Sequence, residues 1–377
     1  MTVAIVINTA WNIYNFRSGI IKHLLKKGHR VVAIAPHDEY VNRLEALGCE
    51  FRDLPMSGSG INPVADLRLL LRMRRLLRSE KVDIVLTYTI KPNIYGSLVA
   101  RSIGIPIVCN ISGLGTTFIW KDLISRIAVL LYNLSVKKAS HVFFQNPEDR
   151  DLFLSKVPIP TNRVGLLNGS GIDLNTFRAD AKNPDDTPIF LMIGRLMKEK
   201  GAYEFAEAAM IVRAQYPQCR FWMIGKWDPD DKRYVKQDEL AHWQENEQII
   251  YKGTTDDIQS EIRQADVIVL PSYREGAPRT LLEAGAMSRP LIASDVPGCR
   301  HIVQHEFNGY LCEVKSGESL AAAMIRFIEL PMEEKLRLAK NSRSFIADRY
   351  DEKLVIQAYD QIISELTFQT GNIRVVS

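Results

Sequence analysis

Short runs of almost uninterrupted apolar residues alternate along this chain with stretches of helical period, and the alternation occurs twice. In the first half the runs are VAIVIN (3–8), RVVAIAP (30–36), DIVLTY (83–88), PIVCNIS (106–112) and HVFFQN (141–146), with helical stretches near 18–27, 39–48 and 93–102. A strand apolar on both faces must be covered on both faces, which is the condition of a parallel sheet between two helical layers. The pattern restarts with IFLMIG (189–194), RFWMIG (220–225), QIIYKG (248–253), DVIVLPS (266–272) and PLIASD (290–295), with helices near 201–215, 256–264 and 278–287.

Between the two series, DLNTFRADAKNPDDTP (173–188) loses apolar period and gathers Pro, Asp and Asn, as a linker does. A chain of 377 residues also exceeds one ordinary core. The expectation is two doubly wound, Rossmann-like α/β domains facing across a cleft, 1–178 and 179–355. A tail, 356–377, ends a helical stretch that starts near 333 and could return to the first domain.

Charge is divided unevenly. Residues 1–180 carry 23 Lys and Arg against 14 Asp and Glu, whereas 181–377 carry 25 against 30, within an overall charge of +4. The basic half should face something anionic. Its most basic segment, DLRLLLRMRRLLRSEK (66–81), sets Leu69, Leu70, Met73, Leu76 and Leu77 on one stripe, with Arg68, Arg72 and Arg75 off it. Such a helix packs leucines on a sheet, meets an anionic membrane surface, or does both. It lacks the interleaved aromatics of a nucleic-acid binder, so no nucleic acid is expected.

The N-terminus has no basic region before its apolar run, and runs such as IAVLLYNL fall short of a membrane span. Five scattered cysteines without CxxC spacing suit a reducing compartment. The expected location is cytoplasmic, peripheral on the inner face of the plasma membrane.

Two loops carry the candidate chemistry. In REGAPRTLLE (274–283), after the DVIVLPS strand, Pro278 suits a helical first turn, which leaves Glu275 in the loop and Glu283 inside the helix. Gly276 allows close backbone approach, and the N–H groups of a helix start favour a phosphate. Carboxylates accept sugar hydroxyls, so the loop reads either as a nucleotide-sugar site or as solvated helix-end charge. In LMIGRLMKEKG (191–201), Arg195 and Lys200 follow a strand and are two cations able to clamp a diphosphate. Both loops fall at carboxyl ends of strands in one domain, where open α/β sheets bind ligands. Asp228-Pro-Asp230-Asp231 contains the spacing that holds a divalent ion in unrelated enzymes, yet reads here as a solvated acidic loop. No cofactor and no metal are expected.

GRLMKEKG followed by the Glu275-x7-Glu283 pattern closely resembles family 4 retaining glycosyltransferases of the GT-B fold, and LLNGSGIDLNTF (166–177) looks like the segment entering their linker. The resemblance implies a metal-independent enzyme in which Glu275, Arg195 and Lys200 are catalytic. It implies a UDP-sugar donor held by Arg195, Lys200, Tyr251, Lys252, Glu275, Gly276, Ala277, Pro278, Arg279, Thr280 and Glu283, with Glu283 on the ribose and the base near YKG (251–253). In the first half, NIYNFRSGIIKHL (12–24), APHDEYVNRLEALG (35–48) and TYTIKPNIYG…SGLGTTF (87–118) look like bacterial enzymes that extend polyprenyl-diphosphate-linked sugars, especially PglA-type α-1,3-N-acetylgalactosaminyltransferases. This implies a lipid-diphosphate acceptor, with Asn15, Arg17, Lys91, Gly113 and Gly115 as its candidate contacts. Many family members carry a histidine in the region of Thr87–Lys91; this chain has none there. A nucleotide-sugar epimerase or hydrolase on the same architecture, and a non-catalytic binding subunit, are the rival readings.

Overall fold

A computed structural model of the chain describes residues 1–57, 62–114, 123–180, 182, 187–246 and 248–375. The chain forms two compact units, Met1–Ser170 with Glu352–Ser377, and Gly171–Asp351. The first boundary lies upstream of the expected 178 because Ile172 and Phe177 are buried in the core of the second unit.

The first unit holds strands β1 (Thr2–Val6), β2 (Arg30–Ala35), β3 (Glu50–Asp53), β4 (Ile84–Tyr88), β5 (Ile107–Ile111), β6 (His141–Phe144) and β7 (Val164–Leu166). They lie in the order β3-β2-β1-β4-β5-β6-β7, and all pairings are parallel. Between them run α1 (Ala10–Lys26), α2 (Val41–Ala46), α3 (Pro63–Ser79), α4 (Ile90–Ile103), α5 (Leu123–Leu134) and α6 (Pro147–Lys156). The central strands β4 and β5 are buried along their whole length, as their apolar sequences require.

Helix α1 starts well before the expected residue 18. The Thr9 hydroxyl accepts from the Asn12 N–H at 3.1 Å, and Ala10 and Ile13 already belong to the buried face. In α3, Leu69, Met73 and Leu77 are buried, with Leu70 and Leu76 packed beside them. A second apolar stripe was not foreseen: Val64, Leu67 and Leu71 point outward, each about 60% exposed.

The second unit repeats the plan with β8 (Ile189–Ile193), β9 (Arg220–Ile224), β10 (Ile250–Tyr251), β11 (Val267–Leu270), β12 (Leu291–Ser294) and β13 (Gly309–Cys312), in the order β10-β9-β8-β11-β12-β13. Its helices are α7 (Ala202–Gln215), α8 (Gln237–Glu245), α9 (Ile258–Gln264), α10 (Arg279–Ala286), α11 (Cys299–Ile302), α12 (Gly317–Ile328) and α13 (Met332–Tyr350). The helical tail is thus not one element. It breaks at Asp351, which bridges to Ile172, and α14 (Glu352–Val375) belongs to the first unit. There Val355, Tyr359 and Ile363 are buried among residues of α1, β1 and β4. Among the described residues, no helix is long and apolar enough to cross a membrane.

Candidate active site

β8 and β11 are neighbours in the sheet, so the loops that leave their carboxyl ends emerge side by side. After β8, residues 194–200 form a loop closed by a 3-10 turn at Lys198–Lys200, and Gly201 stands at φ 77 as α7 begins. A Cβ on Gly201 would lie 2.1 Å from the Pro271 carbonyl oxygen, so only glycine lets this loop press on the end of β11. The Tyr273 N–H donates to the Glu199 carbonyl at 2.9 Å and laces the two loops together. Lys200 Nζ consequently meets Glu275 Oε1 in a direct ion pair.

The second loop is held from the other side. Gly298 stands at φ 84, and a Cβ there would collide with the carbonyls of Glu275 and Gly276. Gly276 is buried by this approach and Ala277 is half-buried. Pro278 caps α10 from just outside it, its carbonyl accepting from Leu281 and Leu282; it sits one position before the helical turn expected of it. The Thr280 hydroxyl donates to the Ile193 carbonyl at 3.4 Å, which ties α10 to the end of β8.

Arg279 Nε pairs with Glu283 Oε1 at 2.8 Å, one helical turn on. The Glu283 side chain is only 14% exposed. Burial pushes its carboxyl above the usual range, and Arg279 works against that shift. Arg195 is exposed, and among the described residues it has no ion-pair partner, so its guanidinium is available to an anion. Tyr251 and Lys252 stand two strands from β8, at the sheet edge. The Tyr251 hydroxyl donates to the Gly225 carbonyl at 3.0 Å. Lys252 pairs with Glu261 and lies 4.0 Å over the Trp222 ring. In the acidic loop, Asp231 pairs with Arg233 at 2.5 Å, which holds its carboxyl down at about 2.

In the first unit the acceptor candidates differ sharply from one another. Asn15 donates to the Trp11 carbonyl of its own helix at 2.9 Å. Lys91 is already neutralised, 3.0 Å from Asp66 and 2.7 Å from the Ser57 hydroxyl. Arg17 is not a surface charge; it is 5% exposed and sits 4.0 Å over the Tyr88 ring. Gly113 has φ 147, and Gly115 lies outside the described residues.

Sequence reasoning missed the two glycines that wedge the loops, the Glu199 carbonyl and the Asp66 partner of Lys91. The Pro297-Gly298 pair is a turn signal that could have pointed to one of them.

Residues 173–345 match the family described as glycosyl transferases group 1. Residues 17–168 match the glycosyl transferase 4-like domain. The chain is a group 1 glycosyltransferase. Over 378 aligned residues it is 28% identical to the N,N'-diacetylbacillosaminyl-diphospho-undecaprenol alpha-1,3-N-acetylgalactosaminyltransferase of Campylobacter jejuni, covering 95% of this chain and 97% of that one. It is 26% identical to the UDP-Gal:alpha-D-GlcNAc-diphosphoundecaprenol alpha-1,3-galactosyltransferase of Escherichia coli, with 82% and 81% covered. This glycosyltransferase also superposes on Anabaena HepE, solved with UDP and glucose, at a TM-score of 0.80 and 18% identity, covering 97% and 99% of the two chains. Sucrose-phosphate synthase of Thermosynechococcus elongatus gives 0.80 at 19% identity, covering 98% and 100%. The fold is GT-B, with two parallel-sheet α/β domains as expected.

Proposed function

We propose that this glycosyltransferase moves GalNAc from UDP-GalNAc, in α-1,3 linkage and with retention, onto a polyprenyl-diphosphate-linked sugar during assembly of a cell-surface glycan. The observation that carries the reading is the Lys200–Glu275 pair at the carboxyl ends of two adjacent strands, beside the exposed Arg195. Two cations and the start of α10 suit a donor diphosphate. Glu275 suits the hydroxyls of the transferred sugar, and Glu283, set in α10 by Arg279, suits the ribose. Tyr251 and Lys252, at the edge of the same sheet, suit the base. The choice of sugar and linkage leans on nearly full-length similarity to the Campylobacter enzyme. UDP-Gal, UDP-Glc and UDP-GlcNAc are the alternative donors, and the Escherichia coli relative is itself named for galactose.

In this reaction the bond between the anomeric carbon and the β-phosphate oxygen breaks. The acceptor hydroxyl oxygen bonds to that carbon on the same face, and its proton passes to the departing phosphate. No side chain need act as base. Lys200, Arg195 and the α10 N–H groups stabilise charge that grows on the leaving diphosphate, so the protein contributes positioning and electrostatics. With the charge met by side chains, no divalent metal is required.

The outward stripe of α3 is the surface we assign to an anionic membrane. Val64, Leu67 and Leu71 are exposed beside exposed Arg68, Arg72, Arg75 and Arg78, which suits shallow insertion with charge contacts to headgroups. Peripheral attachment to the inner leaflet would bring the enzyme to its lipid-linked acceptor.

The test is transfer of labelled sugar from a panel of UDP-sugars to a short-chain polyprenyl-diphosphate N-acetylhexosamine, with EDTA and an acceptor-free control. Label on the lipid from UDP-GalNAc supports the reading, and label from another UDP-sugar replaces the sugar only. Conversion or hydrolysis in the acceptor-free tube, without transfer, overturns it in favour of an epimerase or hydrolase.

A further inference from the structure

Arg17 presents a physical anomaly. A guanidinium never loses its proton in a protein, so a buried one ordinarily has a carboxylate or a set of carbonyls around it. Arg289, in the second unit, follows the rule: it donates to the carbonyls of Ile262, Arg263, Asp180 and Met287. Arg17 is almost as buried, at 5% exposure, yet its Nε has no hydrogen-bond partner among the described residues. Among the described residues no carboxylate pairs with it. Its one marked contact is the face of the Tyr88 ring, 4.0 Å from the guanidinium carbon, which holds the group in place without neutralising it.

The surroundings fit a ligand. Tyr88 is the last residue of β4, in the interior of a parallel sheet, so Arg17 stands at a carboxyl end where such sheets bind ligands. The next residue, Thr89, has φ 65 and ψ 165, a strained state for a β-branched side chain and one that clusters at ligand sites. It opens α4, a helix of 14 residues, whose first N–H groups have no partner within the helix itself. Beside the Tyr88 ring lies Tyr359 of α14, 6.2 Å away between centroids, with its hydroxyl taking a hydrogen bond from Asn110. The ring that supports Arg17 is thus itself in contact with the tail helix.

We infer that Arg17, at the carboxyl end of β4, is the phosphate-binding residue of the first unit, and that Lys91, already paired with Asp66, is not. The ligand chemistry is a phosphate or diphosphate group that meets the unpaired guanidinium. Naming the acceptor lipid's diphosphate as its source rests on the transferase reading above; the anion site itself does not.

Two measurements test it. Pyrophosphate is titrated calorimetrically into the full-length enzyme and into the R17M and K91M variants, in a K200A background that weakens the donor loops. R17M should bind roughly tenfold more weakly or worse, the usual loss for a charge-assisted bond, and K91M should match its parent. Equal binding by R17M and its parent overturns the inference, as does a loss in K91M instead. Should R17M not fold, R17K carries the same test, since it keeps a cation but loses the fork: weaker pyrophosphate binding at an unchanged melting temperature is expected. The second measurement is kinetic, in the otherwise wild-type enzyme. A rise in KM for the lipid-diphosphate sugar at constant donor KM assigns the acceptor as source, and the reverse pattern assigns the donor. If wild type ignores lipid-linked acceptors altogether, the transferase proposal fails while the pyrophosphate titration still decides the fate of Arg17.

Discussion

Glu275 is placed by its neighbours rather than by its own segment. The Lys200 ammonium meets its carboxylate, and the loop that carries it is wedged by Gly298. Glu275→Ala should lower transfer on the order of 10²- to 10³-fold, the scale for removing one preorganised electrostatic partner, while the melting temperature stays within a few degrees. Unchanged turnover would remove Glu275 from the reaction. The spacing of Glu275 and Glu283 was legible in the linear chain, and so was the Arg195–Lys200 cluster. Their pairing was not, because about 75 residues of helix and strand intervene between Lys200 and Glu275. The same limit explains Arg17 and Lys91. As letters they are two equivalent cations; folded, one is neutralised by Asp66 and the other is buried on a tyrosine ring.

Among elements, the loops of the second unit depend on glycine at two contacts. Gly201→Ala would force a Cβ onto the Pro271 carbonyl in a backbone state alanine avoids. A loss of about 1–3 kcal/mol is expected, read as a lower unfolding midpoint, together with a larger loss of transfer than of stability because Lys200 shifts with its turn. The edge of the first sheet carries a different device. Arg30 of β2 and Arg52 of β3 share Glu50 and Glu80 in a four-membered ion network. The Arg30 guanidinium holds the Glu50 carboxyl down at about 2, from an ordinary 4.5. A depressed carboxylate stabilises the fold above its unfolded pKa, and that contribution fades as pH falls from about 4.5 towards 2. Glu50→Gln should therefore flatten the acid limb of the stability curve in that window. A melting profile parallel to wild type between those values would count against it. Helix α3 shows how far periodicity reaches: the buried Leu69–Met73–Leu77 stripe was evident, but the outward Val64–Leu67–Leu71 stripe needed solvent exposure to be seen. Leu67→Glu with Leu71→Glu should abolish co-sedimentation with phosphatidylglycerol vesicles while leaving the fold intact. Retained binding would free α3 of a membrane role.

For the molecule as a whole, the decisive long-range feature is α14, which closes the first unit from the far end of the chain. It buries Val355, Tyr359 and Ile363, and Asp360 pairs with Lys27 at 2.6 Å and His23 at 3.2 Å. Three such side chains are each worth roughly 1.5–3 kcal/mol, together comparable with the whole stability of an ordinary domain. A chain ending at Asp351 should lose the cooperative unfolding of the first unit and keep that of the second, seen as one calorimetric transition where two are expected of the full chain. Two transitions in the shortened chain would refute this.

The fold class needed no coordinates. Strands buried on both faces must be apolar throughout, so each central strand declares itself locally, and two series of them imply two parallel sheets. The strands left unread, β3, β7 and β13, all lie at sheet edges; β3 and β7 are partly exposed, which weakens the apolar signal, and β13 is buried but only four residues long and opens on a glycine. The candidate donor loops were likewise legible, because strand ends and glycine turns are local events. Which cation meets which carboxylate, which arginine is left buried without one among the described residues, and where the tail helix docks are products of contacts between distant segments. Those depend on the packing of whole layers, and no window of sequence contains both partners.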